Sequence, residues 1–170
     1  MKYVLIGFMG SGKTSVATAL AQKLGFSVIE MDTLVYQKTG CADMSEVFAK
    51  GGELLLRETE IALAKEYRAA SHVVISTGGG VVMNKIILDY LKEHQGQVIF
   101  LESSFKTVAD RVATDSTPRP LFQNLAQAET LYQLRLPLYR AYSDIQIQTD
   151  QKTVDQIVQE ITQFIESYED

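Results

Sequence analysis

The stretch Gly7-Phe8-Met9-Gly10-Ser11-Gly12-Lys13-Thr14 constrains this chain more than any other. The apolar run Tyr3-Val4-Leu5-Ile6 precedes it, and Val16-Ala17-Thr18-Ala19-Leu20 follows. Strand, glycine-rich turn and helix in that order are the setting of a phosphate-binding P-loop. The glycines let successive backbone N–H groups turn inward around phosphate oxygens. The helix that follows adds unpaired N–H groups and the positive end of its dipole. Lys13 has the reach to meet the outer phosphates as a point charge, and the Thr14 hydroxyl can ligate Mg²⁺. Taken alone, the stretch says that the chain holds a nucleoside triphosphate.

The rest of the chain repeats the alternation that the loop begins. Phe26 to Met31 reads as a short strand ending at Asp32, and Thr33 to Lys38 as a helix stopping near Gly40. Met44 to Phe48 reads as a turn or two of helix, and Glu53 to Arg68 as a longer helix beyond Gly51-Gly52. His72 to Ser76 and Gln97 to Leu101 are continuous apolar strands of the buried type. Helices are expected from Asn84, from a Ser104 cap, and from Leu125 to Ala141 with a bend or a fresh start at Pro137. Ile145-Gln146-Ile147-Gln148 alternates as a half-buried strand. Thr153 and Gln156 have the spacing of a capping box. Beyond them Val154, Ile157, Val158, Ile161, Phe164, Ile165 and Tyr168 form one apolar helical stripe suited to a core. Strands alternating with helices predict a three-layer α/β domain, with a parallel sheet of about five strands flanked by helices. Ligands in such sheets sit at the carboxyl ends of the strands, so the P-loop, Asp32 and Thr77-Gly78-Gly79-Gly80 should converge on one cleft.

At 170 residues the chain is expected to be a single domain spanning 1–170. Its net charge of −5 and the lack of a basic block argue against nucleic acid as a partner. The apolar start is interrupted by Lys13 and by the glycines, so it is not read as a signal peptide, and no uncharged run has membrane-spanning length. A lone cysteine, Cys41, excludes an internal disulfide and fits the cytoplasm. A monomer is the expected state.

Several residues outside the loop carry chemistry. Glu30 and Asp32, two apart on an expected strand, should point the same way. A carboxylate facing phosphates needs a task, either a water-mediated Mg²⁺ contact or a hydrogen bond to an acceptor hydroxyl. Three glycines after a buried strand fill no core; they allow close approach of a ligand and leave N–H groups to donate. Arg119 lies between Pro118 and Pro120 in the polar segment Thr114 to Asn124, where a closing loop would bring its charge to a transferring phosphoryl group. His72 and His94 have no metal-ligand spacing around them.

In order, these motifs resemble those of the shikimate kinase family. The resemblance rests on the P-loop, Asp32, Gly40, Glu46-Val47-Phe48, Gly52-Glu53 with Arg57 and Glu60, Thr77 to Gly80, Arg119-Pro120-Leu121, and Arg135-Leu136-Pro137-Leu138-Tyr139. It implies a P-loop kinase fold with a mobile lid at about 112–124 and a substrate-binding helical segment at about 33–62. It also implies ATP- and Mg²⁺-dependent phosphorylation of the shikimate 3-hydroxyl, a step in aromatic amino-acid biosynthesis. Gly10, Ser11, Gly12, Lys13, Thr14 and Ser15 would hold the ATP phosphates, with Thr14 on the metal. Arg111 would lie against adenine, and Arg119 would come from the lid. Asp32 would meet a shikimate hydroxyl, orienting it or accepting its proton. Arg57 and Arg135 would hold the shikimate carboxylate, and Gly78, Gly79 and Gly80 would bind shikimate through backbone N–H groups. Lys13, Asp32 and Arg119 would be the catalytic residues. The chain departs from the pattern at Glu30, where the family usually has aspartate, and at Leu56, where an aromatic is usual. Val35-Tyr36 replaces a common Ile-Glu pair, and no arginine follows Thr149, where Lys152 is the nearest cation. The rival readings are another small P-loop kinase, acting on gluconate or a nucleoside monophosphate, and a nucleotide-dependent regulatory ATPase.

Overall fold

A computed structural model describes residues 1–115 and 120–169. Five strands form one parallel sheet: β1 (Lys2–Ile6), β2 (Ser27–Glu30), β3 (Val73–Ser76), β4 (Gly96–Glu102) and β5 (Ile145–Gln148), in the order β2-β3-β1-β4-β5. The helices are α1 (Lys13–Leu24), α2 (Met31–Thr39), α3 (Met44–Glu66), α4 (Lys85–Lys92), α5 (Phe105–Thr114), α6 (Leu125–Tyr142) and α7 (Val154–Glu169). Among the described residues no helix is long and apolar enough to cross a membrane.

The central strand explains the layering. Every residue of β1 is buried, and alternate side chains serve opposite faces. Val4 and Ile6 join a core with Met31, Leu63, Ile87 and Tyr139, under α2, α3, α4 and α6. Tyr3 and Leu5 join a second core with Val16, Leu20, Ile157 and Ile161, under α1 and α7. Lys2 is buried as well, and its ammonium donates to the carbonyls of Arg68 at 2.5 Å and Tyr67 at 3.4 Å, just past α3. Burial lowers the pKa of this lysine, and the nearby Glu93 carboxylate partly opposes that.

Local signals act where they were expected. Gly25 and Gly40 end α1 and α2 in the left-handed conformation, at φ 69° and 70°. Ser104 accepts from the Thr107 N–H at the start of α5. Thr153 and Gln156 make the reciprocal bonds of a capping box, at 2.9 and 3.3 Å. Gly52, at φ 64° and ψ −160°, breaks α3 into a short and a long helical piece, as the Gly51-Gly52 turn predicts.

Some expectations need correction. Asp32 is not on a strand: β2 stops at Glu30, and Asp32 lies in the first turn of α2. The helix begins early because Met31 and Val35, four apart, are both fully buried on its inner face. Strand β3 starts at Val73, since His72 has φ 57°. Helix α6 runs unbroken through Pro137. In the α7 stripe Phe164 is 40% exposed, so the core uses Ile157, Val158, Ile161 and Ile165. The side chain of Tyr168 lies outside the described residues.

Candidate active site

The carboxyl ends of β1, β2 and β3 open onto a cleft of about 320 Å³, lined by Gly12, Lys13, Thr14, Asp32, Gly79 and Arg111 among others. The expected convergence of three strand ends is therefore present, although Asp32 arrives from a helix.

The P-loop depends on glycine for two separate reasons. Gly10 and Gly12 have φ of 78° and 88°, where a side chain is strained. At Gly7 a Cβ would come within 2.7 Å of Ser11 Oγ and 2.8 Å of the Leu101 carbonyl. Lys13 folds back across the loop, donating to the carbonyls of Gly7 at 2.8 Å and Phe8 at 3.0 Å. The Thr14 hydroxyl donates to Glu30 Oε2 at 3.3 Å. Burial raises the Glu30 pKa, against hydrogen bonds from Ser76 and Thr14 that favour the carboxylate. Thr14, Ser76 and Glu30 thus gather hard oxygen donors beside the loop, the set that suits Mg²⁺. On the other side, Arg111 of α5 donates to the Gly10 carbonyl at 3.4 Å and to Ser103 Oγ at 3.3 Å.

A cationic cluster adjoins the cleft beside Asp32. Arg57 of α3 pairs with Glu60 at 2.6 Å and with Glu53 at 3.2 Å. Glu60 is 1% exposed. Burial raises its pKa, the Arg57 and Arg135 charges lower it, and the Asp32 charge raises it further, so Glu60 feels all three neighbours. Arg135 of α6 is buried over the Phe8 ring, 5.9 Å from its centroid. Its Nε is buried with no hydrogen-bond partner among the described residues, a donor aimed at no protein acceptor. Tyr139, one turn further along α6, donates its hydroxyl to the Gly79 carbonyl. Burial drives the Tyr139 pKa far above the ordinary phenol value, so the hydroxyl stays a donor.

The glycine triplet is where the two sides meet. A Cβ on Gly79 would lie 3.1 Å from the Met9 nitrogen in the P-loop. One on Gly80 would lie 2.2 Å from Arg57 Nη2, and one on Gly78 would lie 3.1 Å from both Asp32 Oδ1 and Glu60 Oε1. Gly78 and Gly80 have no room for a side chain because charged groups pack against them, and Gly79 because the P-loop backbone does.

Gly10, Gly12, Lys13, Thr14, Ser15, Asp32, Gly79 and Arg111 are therefore brought to one cleft, while Ser11 is buried within the loop; Gly78 lies against Asp32, Gly80 against Arg57, and Arg135 over Phe8. Arg119 lies outside the described residues, as do Ser116 to Pro118 in the expected lid. Lys152 pairs with Glu160 of α7. Sequence reasoning gave no separate role to Glu60 or Tyr139. The signal for each was spacing: Glu60 follows Arg57 by three and Tyr139 follows Arg135 by four, both on one helical face.

A P-loop beside a half-buried Arg57, a buried Arg135 and a buried carboxylate fits a P-loop kinase with a small anionic acceptor. A family model described as shikimate kinase matches residues 9–166. The chain belongs to the shikimate kinase family. It is 36% identical to the shikimate kinase of Moorella thermoacetica, over 97% of this chain and 94% of that protein. A shikimate kinase from Acinetobacter baumannii, solved in complex with shikimate, superposes with a TM-score of 0.89 at 31% identity, covering 98% of this chain and 93% of that one. The enzyme from Aquifex aeolicus superposes with a TM-score of 0.85 at 31% identity, covering 99% and 98%. A gluconokinase from Sinorhizobium meliloti, at 16% identity and a TM-score of 0.58 over 94% and 87% of the two chains, shares the fold alone.

Proposed function

We propose that this protein is a shikimate kinase, transferring the γ-phosphoryl group of ATP to the 3-hydroxyl of shikimate. The observation that carries the acceptor half is the buried Arg135 Nε without a protein partner, in a cluster with Arg57, Glu60 and Asp32. Planar guanidinium donors match a carboxylate, and a buried donor left without an acceptor is costly.

Phosphoryl transfer through a loose transition state asks mainly for positioning and charge neutralisation. The backbone N–H groups from Gly10 to Ser15 hold the ATP phosphates, and Lys13 exchanges its loop carbonyls for phosphate oxygens. Arg111 faces the nucleotide. Arg57 and Arg135 hold the acceptor carboxylate, while the N–H groups of Gly78 to Gly80 fix the ring. Asp32 accepts a hydrogen bond from the reacting hydroxyl and sets its direction of attack. It is also the group placed to take the proton. Arg119 adds a cation at the transferring group. Thr14 would hold Mg²⁺, with the Glu30 carboxylate beside it. When bound there, the metal would supply neutralisation of phosphate charge. The monomer reading is supported by the use of Ile157, Val158, Ile161 and Ile165 in the core. The buried Cys41 thiol suits a cytoplasmic setting.

The test is ADP release with shikimate, quinate, gluconate and AMP in parallel. Turnover should require shikimate. Turnover with AMP or gluconate, and none with shikimate, would overturn the proposal.

A further inference from the structure

A buried hydrogen-bond chain runs from Arg111 into the sheet. Arg111 can only donate, and its Nη1 donates to Ser103 Oγ at 3.3 Å. Ser103 Oγ is bonded in turn to Thr149 Oγ1. The Thr149 hydroxyl donates to the Glu102 carbonyl at 3.1 Å. With its one proton committed there, Thr149 must accept from Ser103, and Ser103 must accept from Arg111. The polarity is therefore fixed along the whole path, from guanidinium to Ser103 to Thr149 to the end of β4. Ser103 is 3% exposed and Thr149 is fully buried, so water does not compete for these groups.

The anchor is rigid at both ends. The Thr149 N–H also donates to the Glu102 carbonyl, at 2.8 Å, and Tyr132 donates to the Ser103 carbonyl at 2.8 Å. The next residue, Asp150, accepts the Ser104 N–H at 3.1 Å, in the cap of the helix that carries Arg111. Burial pushes the Asp150 carboxyl up, but hydrogen bonds from Thr107 and Ser104 outweigh it and leave the pKa below its ordinary value. Asp150 thus stays an acceptor.

We infer that Ser103 and Thr149 are positioning residues for the nucleotide: they hold the Arg111 guanidinium beside Gly10 before ATP arrives. The inference rests on the reading of Arg111 as a nucleotide contact. A long arginine loses much rotamer freedom when it is held, so fixing it in advance favours binding. The effect belongs to ATP and not to the acceptor, because the chain ends on the β4–β5 side of the cleft.

The test is steady-state kinetics of the full chain with Ser103→Ala, Thr149→Val, Thr149→Ser and Arg111→Ala, with ADP affinity measured by calorimetry. Ser103→Ala and Thr149→Val should each raise the KM for ATP and the ADP Kd about fivefold, the scale of one hydrogen bond. The KM for shikimate should stay within about twofold, and Thr149→Ser, which keeps the hydroxyl, should restore ATP binding. If Arg111→Ala weakens nucleotide binding and the other two variants do not, the positioning role is wrong while the Arg111 contact stands. If Arg111→Ala changes nothing, the contact itself is wrong. A loss spread equally over both substrates, or no rescue by Thr149→Ser, would mark a general structural effect and overturn the inference.

Discussion

On the side of the cleft proposed for the phosphates the groups come from Gly7 to Thr14, one unbroken run, and most of them are backbone. On the side proposed for the acceptor they come from Asp32, Arg57, Glu60 and Arg135, on three helices, and all are side chains. The difference follows from the ligands. Phosphate oxygens can be met by N–H groups that any residue supplies, provided glycine lets the chain turn. A carboxylate on a ring needs cations at fixed points, and those cations must be held in place by something else. Here Glu60 and Phe8 do the holding, one by charge and one by its ring face.

The comparison can be broken most forcefully at Lys13. Lys13→Met should lower kcat by about 10³-fold in a coupled ADP assay, as expected for a charge acting mainly in the transition state. A loss below about tenfold would move the electrostatic burden to other residues. Next is Glu60→Ala, which leaves Arg57 without its closest partner. It should cost about 3 kcal/mol in urea unfolding and raise the shikimate KM, with little change in the KM for ATP. Gly80→Ala acts on the same arginine from the opposite direction. The added Cβ, 2.2 Å from Arg57 Nη2, displaces the flexible end of that side chain. The shikimate KM should rise about tenfold and the ATP KM should not move. If both constants rise together, the two sides of the cleft are not separable.

Thr153→Ala, at neither side, removes one bond of the α7 capping box. It should cost about 1 kcal/mol of stability and leave both KM values unchanged. The smallest effect is on pH dependence. Burial raises the folded pKa of Glu60 above that of an ordinary, solvent-exposed glutamate. The folded state therefore binds more protons than the unfolded state just above the ordinary value, and this group's contribution falls as pH rises towards the raised value. Glu60→Gln should flatten that part of a plot of Tm against pH.

Much of the fold was legible because its signals are local. The P-loop, the alternation of strand and helix, the glycine caps and the Thr153–Gln156 box each act within a few residues. Two local readings failed for the same reason. Asp32 was expected on a strand and Phe164 in the core, yet both were decided by packing partners distant in sequence. Arg57 and Arg135 were legible as a pair only through the family pattern. Nothing in their spacing shows that one buried glutamate and one glycine triplet would gather them.

By itself, then, the sequence determined the phosphate loop, the order of the five strands and helices, and the residue types available for an anionic acceptor. It did so because those properties depend on contiguous residues and on hydrophobic periodicity. Only the tertiary structure decided that Asp32 enters the cleft from a helix and that Glu60 fixes Arg57. It alone placed Arg135 over Phe8, and it alone set the direction of the bonds from Arg111 through Ser103 to Thr149. Each of these rests on burial, which raises the cost of an unpaired charge or donor and so forces distant residues into one arrangement.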